Sequence, residues 1–359
     1  MFRYILRRIV SSLPVLLGVV AVTFALARLI PGNPCTAMLG EKATREVCER
    51  FNHEKGLDQP LPVQFGVFAR DMLKGDLGDS IRFRRPVVQI IVERLPVTVE
   101  LGLVALLIAT LIGIPAGIIS AVRRNSAVDI GTMVGANIGV SIPVFWLGLM
   151  LAYVFALLLK DTPLQLPPSG RLSSGMVSTP FYEVFGWAVA KDSASFRALQ
   201  FFANLYVFNS LITGQWAALW DAIRHLILPA LALATIPMAI IARMTRSSTL
   251  EVLGLDYVRT ARAKGLAERG VIMRHAFRNA LLPVVTIVGL QLGAVFSGAV
   301  LTETIFNLAG VGRMLYEAIT ARDYPIIQGF TLIIAFGYVM ANLLVDLSYA
   351  YFDPRIRYD

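Results

Sequence analysis

The sequence predicts an all-α membrane protein with six transmembrane helices, an outer loop domain at 31–95 and an outer insertion at 160–225. The first observation is composition: 56% of the 359 residues are hydrophobic, 16% are charged, and the mean hydropathy is +0.66. Soluble domains are about 25% charged and just under half apolar, so a soluble enzyme is disfavoured and a disordered chain is excluded. The second observation is a set of six apolar runs of about 20 residues, the length that spans a bilayer.

The first apolar run follows a basic start at Arg3, Arg7 and Arg8. It is long for a signal peptide, and no small-x-small cleavage site follows it, so we predict a retained helix. Prolines inside the later runs are tolerated because neighbouring helices satisfy the freed backbone groups. The six predicted spans are 9–30, 97–121, 130–159, 226–242, 283–302 and 327–350.

The basic residues predict the orientation of these spans. With the N-terminus inside, the cytoplasmic segments carry 15 Lys and Arg in 62 residues, and the outer segments carry 17 in 154. Basic residues concentrate in short cytoplasmic loops, so N- and C-termini are both expected in the cytoplasm. The expected organisation is a first helix with its outer loop (1–95), a five-helix core (96–350) and a cytoplasmic tail (351–359). The net charge of +9 is then explained by the surplus of basic residues in the cytoplasmic segments, and no nucleic-acid partner is expected.

Two segments leave alternatives open. Residues 200–219 could form a seventh span, but that span would move the basic loop 243–282 outside, so we place them in the outer insertion. The aromatics of this insertion fit either an interfacial belt or a packed cap. Cys35 and Cys48 lie in the first outer loop, where a disulfide or two free thiols are equally compatible with the sequence.

The sequence contains no motif for catalysis by the chain itself. It has no Gly-Lys pair and therefore no nucleotide-binding P-loop, and it has no G-x-S-x-G elbow. His53, His225 and His275 are isolated and lack metal-ligand spacing. We expect a non-catalytic subunit that binds no metal and no cofactor.

The cytoplasmic loop 243–282 is the most informative segment. Asp256 is a candidate N-cap, 257–264 a short helix with Gly265 as its left-handed stop, and 267–281 a second helix. Ala261 and Ala263 are small enough for a partner to approach closely. The cationic contacts would come from Arg259, Arg262 and Lys264. The alternative is a basic anchor on anionic membrane lipid.

Here the sequence resembles the permeases of ABC importers, and most closely the first (B-type) subunit of the dipeptide/oligopeptide family. The stretch Tyr257-Val258-Arg259-Thr260-Ala261-Arg262-Ala263-Lys264-Gly265, followed by His275 and Asn279-Ala280-Leu281-Leu282-Pro283, is similar to the family's EAA loop. Thr260-Ala261-Arg262 departs from the generic Glu-Ala-Ala, as in this branch of the family. Further matches in chain order are 30–34, 56–60, 75–80, 301–306, 322–325 and 353–357.

The resemblance implies a type I ABC importer permease fold and a set of partners. These would be a second, similar permease subunit, two ATPase subunits that use ATP and Mg²⁺, and an extracytoplasmic solute-binding protein that delivers a peptide. In that family the EAA loop forms the coupling helix, which sits in a groove of an ATPase subunit and moves with it. By matching positions, the ATPase-coupling residues here are Asp256, Tyr257, Arg259, Thr260, Ala261, Arg262, Ala263, Lys264 and Gly265.

The transport path is less clearly marked. Arg28, Glu100, Asp129 and Glu303 lie at span ends, where snorkelling explains them, while Asp346 lies inside the last span. Asp346 and Glu303 are candidates for lining a cavity or for pairing with a neighbouring helix. The outer-loop motif contacts the binding protein, lines the outer mouth, or forms a plain turn around an aspartate. That motif consists of Gly75, Asp76, Leu77, Gly78 and Ser80.

Other functions fit the sequence less well. An ion-coupled secondary transporter should show inverted repeats and paired carboxylates at the membrane midplane, and only Asp346 is a candidate. A membrane hydrolase would need a nucleophile and base or a metal cluster. Within the importer family a dipeptide is the expected solute, and a nickel complex, glutathione or an oligosaccharide are the alternatives.

Overall fold

The computed structural model of the chain describes residues 2–29, 35, 43–54, 56, 58–190 and 193–352. The described residues form helices and loops with one isolated β-bridge between Asp79 and Pro86. Arg28 and Asp346 lie in described helices, but their side chains are not among the described parts of the structure. The predicted motifs at 30–34 and 353–357 lie outside the described residues.

Fifteen helices can be labelled in chain order within the described ranges. Two π-helical segments accompany them: Tyr153–Leu158 continues α6, and Val271–Phe277 links α12 to α13. The helices are α1 (Phe2–Leu29), α2 (Arg45–Glu54), α3 (Leu61–Leu73), α4 (Val87–Val122), α5 (Ala127–Ser141), α6 (Val144–Ala152), α7 (Phe181–Val184), α8 (Ala194–Ala203), α9 (Tyr206–Ile212), α10 (Trp216–Leu253), α11 (Asp256–Ala263), α12 (Glu268–Gly270), α13 (Arg278–Ile305), α14 (Val311–Ala321) and α15 (Tyr324–Phe352).

Five of the described helical stretches are long and apolar enough to cross a membrane, and the α5–α6 pair makes a sixth if it is one span. The helices extend well beyond the predicted apolar runs. α10 has 38 residues, so it is roughly 57 Å long, nearly twice the ~30 Å hydrocarbon core. It takes in the end of the 200–219 segment on one side and the first residues of the basic loop on the other.

The predicted span 130–159 is broken in its middle. α5 and α6 meet at a bend of 99° across Ile142 and Pro143. Ile142 is extended, with φ −81° and ψ 124°, because a residue before proline is pushed out of the helical region. Proline also lacks the N–H that would continue the hydrogen-bond ladder. The bent pair therefore behaves as two short helices.

The core lies between α4, α10 and α13, and α4 and α10 share the most extensive contact. Two glycines one turn apart allow the backbones to approach. A Cβ atom on Gly113 would lie 2.8 Å from the Met238 carbonyl oxygen, and one on Gly117 would lie 2.5 Å from that of Ala242. Small residues at this spacing are the usual means of close helix contact in membranes.

The insertion at 160–225 packs on the N-terminal half of α4 and the N-terminal end of α10. Arg171 donates to Glu100 Oε2 (2.9 Å) and stacks over the ring of Tyr206 at 3.7 Å. Asp221 accepts from the Ser173 backbone N–H (2.6 Å) and hydroxyl (2.7 Å). These polar anchors make the insertion a packed cap on the helix ends, although Trp187, Trp216 and Trp220 remain exposed on it.

The first outer loop contains a disulfide between Cys35 and Cys48, whose Cα atoms are 5.3 Å apart. This resolves the alternative that the sequence left open. α3 then packs on α1, with Phe65 and Phe68 against the ring of Phe24.

Candidate functional site

The short helix α11 follows the C-terminal end of α10 after a two-residue link. Leu255 occupies its N-cap position with no side-chain cap, and Asp256 is the first helical residue, so the prediction that Asp256 is the N-cap is wrong. The predicted left-handed stop is confirmed: Gly265 has φ +76°. Its N–H donates to Arg262 O (2.9 Å), and that of Leu266 donates to Ala261 O (3.4 Å), which is the Schellman arrangement.

The two faces of α11 have different roles. Val258 and Ala261 are buried in a small cluster with Val271, Ala276 and Ala280, which holds α11 against the π-helical segment. Ala261 therefore faces its own chain, and the interpretation that it allows a partner to approach is wrong. The outer face is exposed and consists of Asp256, Tyr257, Arg259, Thr260, Arg262, Ala263, Lys264 and Gly265.

The exposed face carries a net positive charge that is partly paired. Arg262 donates to Glu268 at 2.7 Å, and this hydrogen bond raises the pKa of the guanidinium further above its ordinary value. Arg259 lies 3.4 Å from Asp256, and both are largely exposed, so this pair contributes little. Lys264 has no ion pair among the described residues. The face presents fixed cationic groups on a short, well-stopped helix.

A buried ion pair ties the C-terminal part of α10 to the α4–α5 connection. Asp129 accepts from Arg246 Nε (2.6 Å) and Nη2 (2.8 Å), and also from the Ser120 hydroxyl (2.5 Å) and the Asn125 backbone N–H (2.9 Å). The Asp129 side chain is only 4% exposed. The snorkelling interpretation of Asp129 is therefore wrong, and its partner lies 117 residues away in the sequence.

Glu303 likewise does not snorkel, since it is fully buried at the C-terminal end of α13. Its carboxylate accepts from Thr98 Oγ1 (2.5 Å) and from the Arg313 backbone N–H (3.0 Å), while the Thr98 hydroxyl accepts from the N–H of Val311 (2.8 Å). These bonds cap the first turn of α14 and fasten it to α4. Of the two roles considered for Glu303, the structure supports helix pairing. The side chain of Asp346, the other candidate, lies outside the described residues.

The outer-loop motif is folded as a turn. Asp76 Oδ1 accepts from the Gly78 N–H (2.9 Å), and Gly75 and Gly78 both have positive φ. Ser80 is buried, and its hydroxyl donates to Asp323 at 2.5 Å, just before α15. The motif therefore joins the first outer loop to the start of the last helix. Gly75 and Asp76 also line an open cleft of about 500 Å³ with residues of α8.

Within the described part of the chain, no three His, Cys, Asp or Glu side chains are grouped as a metal site would require. Sequence reasoning missed the Asp129–Arg246 pair and the α4–α10 glycine contact. A Gly-x-x-x-Gly spacing at 113–117 was the available signal for the second.

Comparison with known proteins shows the family of this chain. Residues 113–358 match the binding-protein-dependent transport system inner membrane component, and residues 1–102 match the N-terminal region of such components. A dipeptide transport system permease protein of Alkalihalophilus pseudofirmus is 46% identical over the full length of both chains. The corresponding protein of Escherichia coli is 42% identical over 100% of this chain and 99% of its own. A di/tripeptide transport system permease protein of Pseudomonas aeruginosa is 42% identical over the same shares. The chain therefore belongs to the family of binding-protein-dependent transport system inner membrane components, and it is a multi-pass membrane permease of the ABC type.

Proposed function

We propose that this chain is the first permease subunit of an ATP-driven importer of dipeptides. The observation that carries the proposal is α11, a short cationic helix fixed at the inner end of a membrane-crossing helix in a chain of this family. The dipeptide is supported by the names of relatives that align with the whole chain at 42% to 46% identity.

The proposed assembly contains a second permease subunit, two ATPase subunits and an extracytoplasmic binding protein. ATP binding and hydrolysis belong to the ATPase subunits, and this chain contributes no catalytic group and binds no cofactor. The density of Lys and Arg supports an orientation with both termini and α11 in the cytoplasm. Membrane lipid covers the exposed apolar side chains of the spans, such as Leu107, Leu111 and Ile130.

Coupling would run from α11 into the membrane through short, well-defined contacts. The exposed face of α11 (Tyr257, Arg259, Arg262 and Lys264) would sit in the ATPase groove. Because Gly265 ends the helix sharply and the cluster around Val258 holds it, α11 would move as a rigid unit with the inner end of α10. The Asp129–Arg246 pair would carry this movement to α4 and α5.

The test is uptake by the complete importer reconstituted in liposomes with a labelled dipeptide. Uptake should require ATP on the ATPase side and should persist when the proton gradient is collapsed. Uptake that follows the proton gradient and ignores ATP would refute the proposed function.

A pair of glycine variants tests the role of α11. Gly265→Val should lower both uptake and binding-protein-stimulated ATP hydrolysis, because a β-branched residue at φ +76° costs about 1–3 kcal/mol of backbone strain. Gly270→Val is the matched control in the same loop, since Gly270 also has open space around it but an ordinary helical φ of −67°. Equal activity of the two variants would contradict the assignment of α11 as the coupling helix.

A further inference from the structure

An open cavity of about 330 Å³ lies between the outer end of α4 and the first turns of α14. Its polar lining comes from Arg94, Asn307, Arg313 and Glu317, and its apolar lining includes Phe83 and Met314. Arg94 precedes the predicted span at 97 by three residues, about 4.5 Å along the helix, so the cavity is at the outer mouth of the membrane region.

Arg94 is the unusual group of this cavity. It is half-buried, and its Nε is buried without a hydrogen-bond partner. Its Nη1 makes one long hydrogen bond, 3.4 Å, to the Ala309 carbonyl oxygen. Within the described part of the chain no acidic side chain pairs with it. A guanidinium has five N–H donors and is costly to desolvate without an anion, so Arg94 has most of its hydrogen-bonding capacity unused.

The surrounding charges are already engaged with one another. Glu317 accepts from Arg313 Nε (3.0 Å) and lies 3.4 Å from Arg82, so one carboxylate serves two arginines. Glu303, which lies behind Gly310 in the cavity wall, is occupied by Thr98 and the first turn of α14. Because these local carboxylates have their own partners, Arg94 remains available to bind the anionic group of a ligand.

The shape of the site indicates the chemistry of that ligand. A guanidinium fork matches a carboxylate in two parallel hydrogen bonds. A volume of 330 Å³ holds more than a single carboxylate group, and Phe83 and Met314 offer apolar surface to an attached side chain. A peptide with a free C-terminus combines these properties. We propose that this cavity binds the transported peptide at the outer mouth, with Arg94 holding its terminal carboxylate. The inference rests on the proposed function and names a substrate-contacting residue for it.

The experiment pairs a change in Arg94 with a change in the ligand group that it would meet. The complete importer is reconstituted in liposomes with saturating binding protein, loaded with either a dipeptide or the same dipeptide with an amidated C-terminus. Peptide transported per ATP hydrolysed is measured for wild type and Arg94→Gln. For the free acid, we expect Arg94→Gln to lower this ratio about tenfold or more, the usual effect of losing a hydrogen bond between charged groups. For the amide, the two proteins should transport equally, since the partner of Arg94 is already absent.

Two further variants control for fold and charge. Arg84→Gln removes the same charge from an exposed position in the loop that precedes α4 and should leave the ratio unchanged. Arg94→Lys keeps the charge without the fork and should recover part of the loss.

Four results would overturn the inference. Equal losses for the acid and the amide, or failure of the Arg94→Gln complex to assemble, would make Arg94 a structural residue. If Arg94→Gln raises the concentration of loaded binding protein that gives half-maximal ATPase stimulation, the carboxylate that Arg94 meets belongs to the binding protein. No change for the free acid would remove any role of Arg94 in transport. Failure of the proposed function looks different, because wild type itself would then show no ATP-dependent dipeptide uptake.

Discussion

The close contact between α4 and α10 predicts opposite effects on stability for alanine substitutions at two glycines, Gly117 inside the contact and Gly135 outside it. Adding one methyl group at Gly117 would place a Cβ atom 2.5 Å from the Ala242 carbonyl oxygen and 2.6 Å from the Cβ of Thr245. Ordinary contacts begin at 3.4 Å, so the helices would have to separate by about 0.9 Å. The obstacle includes backbone, which no side-chain rotation can remove. Gly117→Ala should therefore destabilise the protein by about 1–3 kcal/mol, the usual cost of overpacking.

Gly135 in α5 provides the matched control, since nothing lies within 4 Å of a Cβ atom placed there. Gly135→Ala should stabilise the helix by about 0.5–1 kcal/mol, because alanine loses less backbone entropy on folding. The assay is the thermal unfolding midpoint of the purified importer in lipid nanodiscs, with each variant compared with wild type. If Gly117→Ala raises the midpoint as much as Gly135→Ala does, the described approach of α4 to α10 is incorrect.

Three further predictions concern the polar contacts and the disulfide. Asp129→Asn and Arg246→Gln should each reduce uptake relative to ATP hydrolysis, and the double variant should lose no more uptake than either single variant. Additive losses in the same uptake assay would show that the two residues act separately. Glu303→Gln should destabilise the protein by about 1–3 kcal/mol and lower the thermal unfolding midpoint, because an amide NH₂ would replace an oxygen that accepts from a buried donor. An unchanged midpoint would argue against the capping of α14 by Glu303. Under non-reducing conditions Cys35 and Cys48 should resist alkylation until a reductant is added, and labelling of both without reductant would show that the disulfide is absent.

The sequence was sufficient where structure depends on local chemistry. Apolar runs predicted the membrane-crossing helices, since length and hydropathy are set by the bilayer. Gly265 predicted the end of α11, because only a residue without Cβ adopts that left-handed conformation easily. Pro143 was visible inside a predicted span, but the 99° bend that accompanies it was not foreseen.

Sequence reasoning failed where the deciding partner is distant in the chain. Glu100, Asp129 and Glu303 all lie near the ends of apolar runs, where snorkelling to the surface is the simplest interpretation. Their partners are 71, 117 and 205 residues away, respectively, so a local pattern contains no sign of them. The prediction that Ala261 faces a partner was wrong for a related reason, because packing against residues 271–280 decides which face of α11 is buried.

The position of the glycine contact along α10 has a mechanical consequence. The contact lies near Ala242, about 39 Å from the N-terminal end of α10 at Trp216 but only about 16 Å from its C-terminal end at Leu253, at 1.5 Å per residue. A tilt of α10 about this contact would make the helix a lever with unequal arms. A displacement of about 2 Å at the C-terminal end, which precedes α11, would move the N-terminal end about 5 Å in the opposite direction. Under the proposed function, a small movement of α11 would thus be magnified at the insertion at 160–225.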